Sequence, residues 1–195
     1  MATRSALSAQ SLDNELQRYE SALAKLVGSA QIVLSHAPAT DAPVYFAADF
    51  AGGSAPADAS ASKHYAQAIS VEHPAFALSP GVERTAVDAE VRSLEWLRPA
   101  WREAVLHSLG VNVHKMHVAS QRQLLAETGV PIQEAFLTLT SGVHVSYPGR
   151  EVKPEADPRE HPDYLLAVDK LGLHWRGPYG GEGGPALTVS AGVYD

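Results

Sequence analysis

The chain contains no cysteine in its 195 residues, which excludes disulfides, thiolate metal sites and cysteine nucleophiles together. Long apolar runs are missing too. Nowhere do about 18 apolar residues follow one another, so no stretch reads as a bilayer-spanning helix. Positive charge is scarce: 15 Lys and Arg stand against 22 Asp and Glu, a net charge of −7, and no basic cluster exceeds a pair. Nucleic acid needs a basic face to displace counterions, so it is excluded as a partner, and an anionic membrane surface falls on the same ground. The opening Met1-Ala2-Thr3-Arg4-Ser5 lacks the apolar stretch of a signal peptide. Composition leaves open whether the chain is cytosolic or belongs to a longer membrane protein. Catalytic signatures are also absent: there is no Gly-x-Ser-x-Gly and no His-Glu-x-x-His. The glycine-rich run Gly180-Gly181-Glu182-Gly183-Gly184 does not lead from a strand into a helix and lacks the Lys-Ser/Thr of a phosphate loop, so it is read as a connection between strands.

Hydrophobic residues make up 45% and charged residues 19%, the balance of a chain that can bury a core. No internal repeat is visible, and residues 1–195 are read as one domain. Residues 1–35 carry a long helix, with Leu12, Leu16, Tyr19, Leu23 and Leu26 at alternating steps of four and three, a stripe that packs either on the domain's own core or on a second copy. Residues 36–81 are broken repeatedly by Pro and Gly. Val44-Tyr45-Phe46 is read as a short strand, Gly52–Ser62 as a surface loop, and Val71-Glu72-His73-Pro74 as extended. Residues 82–130 return to helical spacing. Val87, Val91, Leu94, Leu97, Trp101 and Val105 share one face, Pro99 predicts a kink or break, and a further helix over 113–128 stops at Gly129 and Pro131. From Ile132 the period becomes two. A hairpin runs from Ile132–Thr140 through a two-residue Ser141-Gly142 turn into Val143, Val145 and Tyr147. A short helix over Pro162–Leu171 turns Tyr164, Leu165 and Val168 inward, Trp175–Tyr179 is extended, and Leu187–Tyr194 is the last strand. Helices first and antiparallel strands late predict an α+β fold with an antiparallel sheet.

The C-terminal third carries an ordered set of signals: Ser146-Tyr147-Pro148-Gly149, then Asp157-Pro158-Arg159-Glu160-His161-Pro162-Asp163-Tyr164 and Ala167, then Trp175-Arg176-Gly177-Pro178-Tyr179, and finally Leu187 to Asp195. This order resembles the membrane-distal module of double Cache, PAS-like sensor domains. That family reads Tyr-Pro-Gly, Asp-Pro-Arg-x-Arg-Pro-Trp-Tyr-x-x-Ala, Trp-x-x-Pro-Tyr-x-Asp and a closing Pro-Val-Tyr-Asp. The likeness extends over nearly the whole chain, with its specificity in residues 146–195. It implies a long helix packed with further helices against a PAS-like sheet, placed outside the cytoplasmic membrane as part of a membrane-anchored signalling protein of kinase, cyclase or chemoreceptor type. It implies a small-molecule ligand, no cofactor and no catalysis. Family members continue with a glycine turn and one more strand, so the resemblance also implies truncation before a last strand, leaving a sheet edge for another chain to cover.

The resemblance implies a ligand site built from Phe136, His144, Tyr147, His161, Asp163, Trp175 and Tyr179. Its departures bear on the ligand. Amino-acid-binding members grip a carboxylate with the second arginine and the tryptophan of Arg-Pro-Trp-Tyr, positions held here by His161 and Asp163. The aspartate that would receive an ammonium group is Gly181. A typical free amino acid is therefore not the expected ligand; Asp163 suits a cation, an amine or a hydroxyl, and His161 would make such a site pH-sensitive near neutrality. A module that binds nothing and dimerises through its N-terminal helix is the alternative, and an enzyme with an unrecognised site is a third reading. Among the nine histidines, His114 and His117 stand three apart and His107 lies earlier, but no further ligand is spaced beside them, so they are read as surface residues. Asp157 and Glu160 suit a cap or solvent, and Arg159 a structural pair.

Overall fold

The computed structural model describes residues 2–110, 112, 115–127, 131–152, 157–181 and 184–193. The fold is α+β, a long N-terminal helix and further helices combined with antiparallel sheets. Helix α1 spans Ala2–His36. No proline interrupts it until Pro38, which cannot continue a helix. Its second half is the buried half. Ala22, Ala30 and Val33 are enclosed, Leu26 and Leu34 are half-buried against the core, and Leu12 at the head of the expected stripe is exposed. The buried face is thus rotated from the leucine stripe toward small residues, which let α1 lie close to the helices beneath it.

The segment read as irregular holds more order than its composition suggests. Phe46 forms a single parallel bridge to Phe76 instead of a strand, and α2, Ala47–Ala51, follows at once. The Asp49 carboxylate accepts the Phe46 N–H at 2.7 Å and closes its first turn. Strands β1 (Ser60–Ser62), β2 (Gln67–Ser70) and β3 (Ala75–Leu78) come next. The end of the expected surface loop is therefore a strand. Between β2 and β3, Asp58 gathers the chain by accepting from Ser70 Oγ (2.8 and 2.9 Å), Val71 N (3.1 Å) and Glu72 N (3.0 Å).

Helix α3 covers Arg84–Leu94, a 3-10 turn covers Glu95–Leu97, and α4 covers Arg98–His107. The break expected at Pro99 falls just before it. Proline has no N–H to offer the preceding turn, so it sits at the start of α4, where none is needed. Val87, Val91, Leu94, Leu97, Trp101 and Val105 are all buried. Helix α5 is Val118–Glu127, shorter than the span expected; Gly129 lies outside the described residues.

Strands β4 (Ala135–Thr138) and β5 (Val143–Tyr147) form the expected hairpin. Its connection is longer than Ser141-Gly142: Leu139 N bonds Val143 O at 2.8 Å and Gly142 N bonds Leu139 O at 3.0 Å, so Thr140 belongs to the turn as well. β5 is central in the order β3-β5-β4, and β1, β2 and the short β6 (Gly149–Arg150) make a second sheet in the order β1-β2-β6. Phe76, Val143, Val145 and Tyr147, fully enclosed, meet the apolar face of α3 and α4 and Ala30 and Val33 of α1 in one core.

After a 3-10 turn at Pro158–Glu160 comes α6, Pro162–Asp169. Its buried residues are Asp163 and Ala167, whereas Leu165 and Val168 are more than half exposed. Of the three residues expected to turn inward, Leu165 and Val168 face outward and Tyr164 is half-buried, because the carboxylate at Asp163 is held from the other side. Strands β7 (Leu173–Gly181) and β8 (Gly184–Ala191) pair as a separate ribbon that runs through the glycine stretch to Gly181 and Gly184. Tyr194 of the expected last strand lies outside the described residues.

Candidate functional site

The ribbon contains the feature on which the site depends. Its register shifts between Arg176 and Tyr179: Arg176 faces Thr188 and Tyr179 faces Ala186, so Gly177 and Pro178 stand opposite Leu187 alone. In a regular strand, residues three apart point to opposite faces. The extra residue of this bulge returns them to one side. Gly177 has φ +116°, and a Cβ there would lie 2.8 Å from Ala186 O, so glycine is required at this point.

Both side chains then reach Asp163. Arg176 donates through NH1 to Asp163 Oδ1 at 2.9 Å, and the Tyr179 hydroxyl lies 3.4 Å from the same oxygen. The guanidinium also sits over the Tyr179 ring, 5.7 Å from its centroid. Burial, with the Asp163 charge adding to it, holds the Tyr179 hydroxyl above its usual range. His161 is the N-cap of α6: its Nδ1 accepts the Asp163 N–H at 3.3 Å and lies 3.6 Å from Asp163 Oδ2. Asp163 is 2% exposed, Arg176 about a third. The arrangement is a buried carboxylate whose neutralising arginine still presents N–H groups to solvent, beside a phenol and an imidazole. It can receive a hydrogen-bond donor at Asp163 in competition with Arg176, or an anion at Arg176.

The Asp-Pro-Arg turn next to this cluster is a fixed platform. Asp157 Oδ1 accepts from Arg159 N (2.9 Å) and Ser79 Oγ (2.7 Å), Arg159 NH2 reaches Asp157 Oδ2 at 2.6 Å, and Arg159 NH1 bonds Thr140 O at 3.3 Å. The Arg159 side chain and backbone, then Ser79, hold the Asp157 carboxyl well below the usual carboxylate range. This turn ties the entry to α6 onto the β4–β5 hairpin.

The seven residues expected to share one cavity occupy four places. His161, Asp163 and Tyr179 come together. Trp175, next to Arg176 in β7, points to the other face, where its Nε1 donates to Glu20 Oε1 of α1 at 2.8 Å. Phe136 and His144 lie on the outer face of the β3-β5-β4 sheet with ring centroids 5.7 Å apart, and Thr138 Oγ1 meets His144 Nδ1 at 2.8 Å. Burial pushes the His144 imidazole down to about 4, so it is neutral at physiological pH. Tyr147 is in the core, its hydroxyl donating to Val71 O at 2.7 Å. Sequence reading missed Arg176. The signal was a charge balance: a carboxylate at position 163 inside a folded domain needs a cation, and Arg176 is the cation of the neighbouring motif.

Among the described residues, cavities lie elsewhere that are lined by none of the seven. An open groove of about 600 Å3 separates α1 from α4, and a smaller cavity of about 250 Å3 lies where α3 passes into α4. Among the described residues, no group of three or more His, Asp or Glu could hold a metal ion; His114 lies outside them. Among the described residues, no helix is long and apolar enough to cross a membrane.

Antiparallel sheets under a long helix, with a buried ion pair joining ribbon to short helix, define the chain as an α+β domain. Comparison with protein-family models, with curated proteins and with solved structures finds no match to it.

Proposed function

We propose that this chain is the extracytoplasmic, small-molecule-sensing domain of a membrane-anchored signalling protein, with its ligand side at Asp163, Arg176, Tyr179 and His161. The observation that carries the reading is the position of β7 between that cluster and the long helix. Arg176 and Tyr179 reach Asp163 on one face of the strand, and Trp175 bonds Glu20 of α1 on the other. A ligand that inserts an amine or hydroxyl at Asp163 must displace Arg176, and the displacement is felt by β7 and through Trp175 by α1. Such a ligand biases two arrangements of ribbon and helix only as far as it binds them differently. The resemblance of residues 146–195 to Cache sensors supports the same reading, and the domain is then a receiver rather than an enzyme.

The test is a melting screen of amines, polyols and organic acids. A true ligand at one hundred times its Kd raises stability by about 2.7 kcal/mol. His161→Ala and Tyr179→Phe, which leave the buried ion pair in place, are expected to weaken binding at least tenfold without unfolding the domain, and Asp163→Ala to abolish it. A second reading has an observation of its own: Leu12, at the head of the leucine stripe of α1, is exposed, as a helix that pairs with a second copy would leave it. A broad panel without any melting shift, together with a tight dimer in sedimentation, would replace the sensor by a dimerising spacer.

A further inference from the structure

The smaller cavity is built from groups that the Asp163 cluster does not use. It is lined by Thr40 and Ala42 after α1, by Glu72 between β2 and β3, and by Glu95, Trp96, Arg98, Pro99 and Arg102 where the 3-10 turn enters α4. The Glu95 side chain is 1% exposed. Neither of its oxygens has a hydrogen-bond partner among the described residues, and neither does Glu72 Oε1. The nearest cation to Glu95 is Arg98, with Nε 3.7 Å from Oε2, but that Nε donates to Glu72 O at 2.7 Å. Arg102 NH1 bonds Glu72 Oε2 at 3.1 Å. Trp96 is fixed by Nε1 donating to Pro38 O at 3.0 Å and supplies an indole wall. Burial, partly offset by Arg98, pushes the Glu95 carboxyl up to about 7.

Buried polar atoms ordinarily have partners, and three unpartnered, buried carboxylate oxygens belong to two residues that line one cavity, which calls for donors. Charge narrows the choice. A simple amine placed there meets two arginines, and a simple carboxylate meets two glutamates. A neutral polyol avoids both repulsions but makes the weaker, uncharged kind of hydrogen bond. A molecule with both charges matches both sets, and the volume suits one the size of about eight waters. We propose that this cavity binds a small zwitterion, its ammonium group received by Glu95 and Glu72 Oε1 and its carboxylate by Arg98 and Arg102. This site is separate from the Asp163 cluster.

Calorimetric titration of the full chain tests it, with L-alanine and β-alanine as zwitterions of two charge spacings and with ethylamine, propionate and glycerol as single-feature controls. At least one zwitterion is expected to bind ten or more times tighter than every control. Glu95→Gln is expected to weaken that binding at least tenfold while the melting temperature does not fall, and Arg102→Gln, at a half-exposed position, to weaken it similarly. Tyr179→Phe leaves it unchanged, which separates this site from the one above. Failure of both zwitterions to bind, binding of glycerol as tight as that of the zwitterions, or binding that survives both Glu95→Gln and Arg102→Gln overturns the proposal.

Discussion

At the scale of single residues, buried ionisable groups set how stability responds to pH. Glu95 has the clearest effect. Its ordinary value of 4.5 is raised to about 7, chiefly by burial, so folding favours the protonated acid. The sign follows from linkage: the unfolded chain releases this proton first, so stability is undiminished below about 4.5, falls as pH rises, and has lost the full amount above 7. Glu95→Gln abolishes that loss. The variant is expected to be more stable than the native chain by about 3 kcal/mol at pH 8 and indistinguishable from it at pH 4, as read by urea unfolding at the two values. A variant that is less stable at pH 8 would mean that Glu95 has a strong partner there.

At the scale of elements, the decisive places are where one backbone passes close to another. Gly149 opens β6, and its N–H donates to His73 O at 3.1 Å. A Cβ at this position would stand 2.3 Å from His73 O and 2.9 Å from Phe50 Cζ, distances that only a backbone shift relieves. Gly149→Ala is therefore expected to cost about 3 kcal/mol in chemical denaturation. A loss under about 0.5 kcal/mol, the level of an ordinary surface change, would show that β6 does not hold the chain at this point. The ribbon bulge is a device of the same kind. Without the extra residue between Arg176 and Tyr179, one of the two would leave Asp163.

At the scale of the whole molecule, a side-chain bond ties the two ends of the chain together. Trp175 Nε1 and Glu20 Oε1, 155 positions apart, are joined at 2.8 Å, and this bond holds β7 to α1. Trp175→Phe keeps most of the apolar surface and removes the donor, with an expected loss of about 1.5 kcal/mol. Hydrogen exchange should show the effect concentrated in β7, β8 and the middle of α1, while β3, β5 and β4 keep their protection. Equal loss of protection in both sheets would mean that ribbon and core open as one unit.

What the sequence determined by itself was local and periodic. The apolar face from Val87 to Val105 recurs with the turn of a helix, and Val143, Val145 and Tyr147 alternate with the pleat of a strand, so α3, α4 and β5 and the α+β class could be read directly. Strands β1 and β2 were not legible, because small and polar residues such as Ser60, Ala61 and Ala68 carry no alternation of hydrophobicity. The inward face of α6 was misread for another reason. Leu165 and Val168 are the apolar residues, but Asp163 is buried because Arg176 and Tyr179 meet it from a strand more than ten residues away. Only the tertiary structure decided that pairing, and with it the places of the candidate residues. Periodicity records which neighbours along one element share a face; the meeting of charges from different elements depends on bulges, registers and close backbone contacts that leave no period in the chain.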